Sequence, residues 1–263
     1  MTHSLIQFWG QYQETDAPYF HPEDRQVLFL PNRNDVLSDV VRTFSNYTMD
    51  DQFTRRGSSR LDLSLVPIPF GGDLNKADII ILLLNPGLSH TDYYGELNSP
   101  EYRKTLKQNL HQDFKCCTYP FLWLNPNFCW HGGFMWWEGK LRSILNRLAD
   151  QKYNGSYLKA LQALSHRIGM IELVPYHSGE SPSGRILRDL PSVAAAKNYV
   201  QETLLTEAKI GKKLLIVMRQ TKGWGVSQAS KNVIIYGKHE ARGASLSPDS
   251  RGGAAILRRL EVR

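Results

Sequence analysis

The stretch ADIIILLLNPGLSHTDYYGE, residues 77–96, decides the fold. Its first half is a continuous apolar run, as expected of a strand buried on both faces. At Asn85-Pro86-Gly87 the character changes abruptly, and Asp92, two tyrosines and Glu96 follow in what reads as an acidic, aromatic loop. Three further runs have the same continuous character: IGMIELVPY (168–176), KKLLIVMR (212–219) and NVIIYG (232–237). Helical patterns separate them. SPEYRKTLKQNLHQDF places Ser99 as a cap before Pro100, WWEGKLRSILNRLADQ carries an apolar stripe from Trp137 to Leu148, and PSVAAAKNYVQETLLTEAKIG ends on a glycine suited to a C-cap. SPDSRGGAAILRRLEVR predicts a capped terminal helix.

Strands alternating with helices predict an α/β domain, a three-layer α/β/α arrangement around a central four-stranded parallel sheet. Residues 1–65 fall outside that alternation and read as an N-terminal elaboration with helical pieces at Leu5 to Tyr12 and Asp35 to Phe44 and a polar surface loop, DDQFTRRGSSRLD. Residues 66–263 form the core of what is expected to be a single domain. Ligands of such sheets bind beyond the carboxyl ends of the strands, so the chemistry is sought where each strand ends.

The 263 residues carry a net charge of +7, with 41% hydrophobic and 22% charged residues. A basic surplus suits a polyanionic partner through steering and counterion release. Three cysteines (Cys116, Cys117, Cys129), two of them adjacent, make neither a disulfide framework nor a CxxC metal site. The first residues lack a basic segment followed by an apolar one, and no apolar run approaches bilayer length. The expectation is a cytoplasmic, monomeric protein without metal or cofactor.

Between the first two core strands lies CCTYPFLWLNPNFCWHGGFMWW, dense in aromatics. Such clusters are more often core than ligand surface. Asn125-Pro126-Asn127 and Gly132-Gly133 within it nevertheless read as loop, where aromatic rings such as Phe121 could stack on a flat ligand. After the second run come His177 and Ser178, and after the fourth comes GKHEARGASLSPDS.

Over roughly residues 65–255 these motifs carry a resemblance. PIPFGGDLNKADIIILLLNPGL resembles the first motif of the uracil-DNA glycosylase superfamily, especially its mismatch-specific branch with an Asn-Pro-Gly turn. ARGASLSP is similar to the family's later motif, and IELVPYHS would correspond to the middle strand whose end faces the flipped base. The resemblance implies a DNA partner and a monofunctional glycosylase that extrudes a nucleotide and hydrolyses its N-glycosidic bond. It assigns Asn85 to holding the attacking water, with Asp92 and Glu96 adding an acidic field. Pro86, Gly87, Tyr94, Phe121, His177 and Ser178 would surround the base. His239, Arg242, Gly243, Ser245, Leu246 and Ser247 would contact DNA, with Leu246 as the wedge filling the vacated stack.

Two departures bear on the substrate. Val174-Pro175-Tyr176-His177 stands where uracil enzymes place a base-reading asparagine, and RGASLSP stands where they carry His-Pro-Ser-Pro. The aromatic segment Tyr119–Trp137 could enlarge the pocket and stack on a sugar. In this the pattern resembles bacterial anti-phage DNA glycosylases, which remove glucosylated hydroxymethylcytosine from viral DNA. A uracil or thymine mismatch repair enzyme and a non-catalytic module binding modified DNA are the alternatives. A small-molecule hydrolase acting on a nucleoside or ester is disfavoured by the lack of GxSxG and by the net positive charge.

Overall fold

The computed structural model describes residues 4–14, 16–30, 36–49, 57–184, 186–243 and 245–262. Five strands form one sheet in the order β1-β3-β2-β4-β5. They are β1 (Phe70–Gly71), β2 (Ile79–Leu83), β3 (Ile168–Glu172), β4 (Leu214–Val217) and β5 (Val233–Ile235). The four runs expected from sequence are mutually parallel: β2 pairs with β3 and β4, and β4 with β5. The sheet is mixed rather than purely parallel, because the two-residue β1 adds antiparallel to β3 through Phe70↔Ile171 and Gly71↔Met170. Two residues are too few for any periodicity to announce them.

Every residue of β2 is buried, as are those of β3 and β4, which accounts for their apolar runs, interrupted only by Glu172 at the end of β3. At the entry to β2, Asp78 accepts from Arg167 at 2.6 and 2.7 Å and from Arg259 at 2.7 Å, tying the strand to β3 and to the terminal helix Arg251–Leu260. The helix Pro100–Leu110 begins as its sequence predicts, Ser99 accepting from the Tyr102 N–H and Pro100 occupying the first turn. The long segment from Pro191 is helical to Asn198, widens to a π-helical stretch over Tyr199–Leu204 and continues as Leu205–Lys209.

Three expectations are corrected. The segment after Asn-Pro-Gly is a helix, His90–Asn98, not a loop. Asp92 sits in its first turn and accepts from both the Ser89 N–H and the Ser89 hydroxyl at 2.6 Å, which fixes the helix start. Gly132 and Gly133 open the helix Gly132–Lys152 rather than interrupting the chain. A Cβ on Gly133 would collide with the Trp123 ring, so glycine serves close packing there, not a turn. Lastly, the helix expected over Asp35 to Phe44 is absent from residues 36–43, where Leu37 pairs with Leu61 through Leu61 N–H to Val36 O (2.7 Å) and Ser38 N–H to Leu61 O (2.9 Å). Asp35 itself, and residues 50–56 of the polar loop, lie outside the described residues.

The N-terminal part is built into the core. Leu5, Trp9 and Tyr12 are buried with the sheet residues, the first helix running Ser4–Trp9. Buried Asp24 accepts from the Tyr176 hydroxyl (2.5 Å) and the Ser192 N–H (2.9 Å). No helix among the described residues is long and apolar enough to cross a membrane.

Candidate active site

A cavity of about 670 Å³ opens at the carboxyl ends of the parallel strands. Its wall is made by Asn85, Pro86, Gly87 and Leu88 after β2, Glu172 at the end of β3, Ser178 to Ser181 beyond it, and Arg219 after β4. Asp92, His131, Trp123, Trp136 and Trp137 complete it. That is the edge at which parallel α/β sheets bind ligands.

Asn85 is immobilised from both directions along the chain. Preceding it, the carbonyls of Leu82, Leu83 and Leu84 accept in turn from Met218 N–H (3.1 Å), Trp224 Nε1–H (3.1 Å) and Val174 N–H (2.8 Å). Following it, Gly87 adopts φ +76°, a left-handed conformation that favours glycine, and its carbonyl accepts from His177 Nδ1 at 2.9 Å. The side chain is oriented by a relay. The Ser178 hydroxyl donates to Glu180 O (2.7 Å), so its oxygen accepts from Asn85 Nδ2 (2.9 Å), which also reaches Ser178 O (3.3 Å). With Nδ2 committed to these acceptors, Oδ1 is the atom left to accept from a ligand in the cavity.

The carboxylate of Asp92, another residue of the cavity wall, is held by Ser89 and lies 3.3 Å from His131 Nε2, a close polar contact rather than an aligned hydrogen bond. His131 caps the Gly132–Lys152 helix by accepting from the Gly133 N–H at Nδ1 (2.9 Å), which places the proton of the neutral ring on Nε2, toward Asp92. Its ring also stacks on Tyr102, centroids 4.4 Å apart. Burial alone would raise the Asp92 carboxyl. His131, the charge of His177 and the Ser89 hydroxyl outweigh that and hold it below the usual carboxylate range.

The groups at the ends of the flanking strands β3 and β4 are different in kind. Glu172 is 3% exposed, and its Oε2 has no hydrogen-bond partner among the described residues. Burial pushes its carboxyl well above the usual range, opposed by the Arg219 charge. Arg219 Nε is likewise buried without a partner. The indoles of Trp136 and Trp137 meet edge to face at 4.9 Å, and Lys140 Nζ lies 5.5 Å from the Trp136 ring centre.

The structure thus gathers Asn85, Pro86, Gly87, Asp92 and Ser178 around one cavity. Four other candidates stand apart from its wall. Tyr94 is 44% exposed and packs edge-on against Phe44 and Trp130. Phe121 is fully buried behind the wall, against Trp123 and Trp137. Buried His177 supports the Gly87 turn. Glu96 is buried with its carboxylate on the Val66 N–H (2.8 Å), so it contributes structure rather than an acidic field in the cavity. In the last motif, His239 and Gly243 lie on the helix Lys238–Gly243, with His239, Gly243 and Ser245 exposed. Ser247 is half-buried, its N–H donating to Ser245 Oγ at 3.2 Å. Arg242 lies on the same helix; Lys140 Nζ donates to Gly243 O at 2.6 Å, linking it to the wall. Leu246 is fully buried against Gly252, so it presents no side chain to a DNA stack in this conformation, and the wedge assignment is corrected.

Sequence reasoning missed Glu172, Arg219 and His131. Glu172 did leave a signal: an acid within the apolar run IGMIELVPY must be costly to bury unless it is used. His131 precedes the glycine pair, a cap position hidden once that pair is read as loop. Comparison of the chain with protein families, with curated proteins and with solved structures finds no match.

Proposed function

We propose that the protein is a monofunctional DNA glycosylase with the three-layer architecture and chemistry of the uracil-DNA glycosylase superfamily. The observation that carries this reading is the orientation of Asn85: its amide nitrogen is committed to Ser178, and its carbonyl oxygen remains to hold a water at the strand edge. A nucleotide turned out of the duplex enters the cavity, and the basic surplus of the chain favours the phosphates on either side. The C1′–N bond breaks with its electron pair moving to the base. The water held by Asn85 adds its oxygen to C1′, one of its protons passes to solvent, and the base takes up a proton as it departs. Asp92, ionised and facing the same space, supplies negative charge toward the oxocarbenium-like sugar.

The size of the cavity and its three tryptophans favour a base larger than uracil. Glucosylated hydroxymethylcytosine, removed from phage DNA as a defence, is the substrate proposed. The test is incubation with duplexes bearing uracil, a thymine mismatch, hydroxymethylcytosine or its glucosylated form, followed by alkaline cleavage at abasic sites. Strand cleavage with the glucosylated base is expected. Release of uracil alone overturns the substrate, and tight binding of modified DNA with no abasic site overturns catalysis in favour of a binding module.

A further inference from the structure

Glu172 is the one buried acid of the cavity to which the water-addition chemistry gives no work. It ends the core strand β3, lines the cavity and keeps Oε2 without a partner, an arrangement that costs stability unless a ligand completes it. Resting on the glycosylase reading above, we propose that Glu172 is the general acid that protonates ring nitrogen N3 of a cytosine-type base as it leaves.

The chemistry requires such a group for a cytosine ring and not for a uracil ring. A uracil ring already carries hydrogen on N3 and leaves as a delocalised anion. A cytosine ring has a bare, basic N3 and an exocyclic amine, and its anion is a poor leaving group. A carboxylic acid offers one O–H donor and one C=O acceptor, which match N3 and the amine respectively. The proton moves from the Glu172 carboxyl to N3, the C1′–N1 bond breaks with its pair passing to N1, and the base departs as the neutral N3–H tautomer. Water adds to C1′ and releases a proton, which restores Glu172 through solvent, so no net charge remains. Burial favours the protonated form of the carboxyl before the step. Arg219, which lines the same cavity and whose charge acts on this carboxyl, then stabilises the carboxylate that the step leaves behind. Asp92, His131 and Glu180 are the other titratable groups around the cavity, and Arg219 alone among charged groups perturbs Glu172.

The test is single-turnover release from glucosylated hydroxymethylcytosine, hydroxymethylcytosine and uracil duplexes by the parental protein and Glu172→Gln, from pH 5 to 9. The parental rate on the cytosine-type bases is expected to fall as pH rises through the Glu172 pKa. Glu172→Gln is expected to be about 100-fold slower, to lose that limb and to bind duplex within about threefold of the parent. A limb that persists in Glu172→Gln belongs to another group, and this outcome, or a parental rate in the variant, overturns the assignment while leaving the glycosylase intact. Faster parental release of uracil than of cytosine-type bases overturns the base class. A parental protein that forms no abasic site on any duplex overturns the glycosylase reading and the general acid with it.

Discussion

The two sides of the cavity hold their polar groups in opposite ways. Around Asn85 the groups are fixed by neighbours: the amide by Ser178, Ser178 by Glu180 O, and Asp92 by Ser89. At Glu172 and Arg219, a carboxyl oxygen and a guanidinium nitrogen are buried with no hydrogen-bond partner among the described residues. Asn85, Glu172 and Arg219 all stand at or just beyond the carboxyl ends of parallel strands of one sheet, so the difference is not one of fold. A satisfied group is held ready before the ligand arrives, whereas an orphaned one is completed by it. The Asn85 side is therefore expected to reveal itself in rate with little effect on stability, and the Glu172 side in both.

The largest effect should come from Asn85→Ala. Removing the water-holding carbonyl is expected to slow abasic-site formation by about 100- to 1000-fold, the scale seen when one preorganised polar group is lost. Two neutral hydrogen bonds to Ser178 go with it, the second long at 3.3 Å, so stability should fall by only about 1–2 kcal/mol. Parental single-turnover rates in this variant would remove the distinction between the two sides. Ser178→Ala should be milder. The Asn85 amide loses its 2.9 Å acceptor and its fixed direction but keeps Ser178 O at 3.3 Å. A rate loss of about tenfold is expected, equivalent to about 1.4 kcal/mol, with duplex affinity unchanged. If Ser178→Ala matches Asn85→Ala, orientation is the whole contribution of the amide.

How far this division was legible in the sequence follows from what each side depends on. The Asn85 side is written locally: an apolar run, then Asn-Pro-Gly, with the glycine required by φ +76°. The four parallel strands were visible for the same reason, since burial on both faces leaves unbroken apolar runs. The Glu172 side depends on the strand order, which sets β3 and β4 on either side of β2. Nothing local to Met218-Arg219 says that β4 ends at the same cavity as Glu172, with β2 between them. Glycine pairs ordinarily signal turns, so Gly132-Gly133 concealed both a helix start and the His131 cap, because the close approach of Trp123 is set by tertiary packing. Leu246 failed as a wedge for a similar reason: a loop leucine looks alike in sequence whether it faces DNA or, as here, the core.

Asp92 links catalysis to the fold, and Asp92→Ala tests that link. The substitution removes both 2.6 Å bonds from Ser89 at the helix start, a loss of about 1 kcal/mol, or roughly 2–4 °C in Tm for a domain of this size. The pH dependence has a definite sign. Because the folded-state carboxyl is held low, its contribution is present above the unfolded pKa of about 3.9 and is lost as pH falls through the folded value. The Tm difference between parent and Asp92→Ala should therefore be full at pH 6 and shrink below about pH 4. A difference that stays constant across that range would mean that the acid does not act as a charge.

The smallest effect should have the opposite sign, and it separates the two sides most cleanly. Glu172 is held high, so the native state favours its protonated form: stability is unaffected below the unfolded pKa and declines as pH rises, until the folded carboxyl ionises. Glu172→Gln cannot ionise and escapes that decline. Chemical denaturation should find the variant equal to the parent near pH 4 and more stable at pH 8, by about 0.5–1 kcal/mol, a gain typical of replacing a strained functional group. Asn85→Ala, on the satisfied side, should show no such gain at any pH. Should Glu172→Gln be less stable than the parent at pH 8, the carboxyl is already paired in the empty protein, and the orphaned side of the cavity is as preorganised as the other.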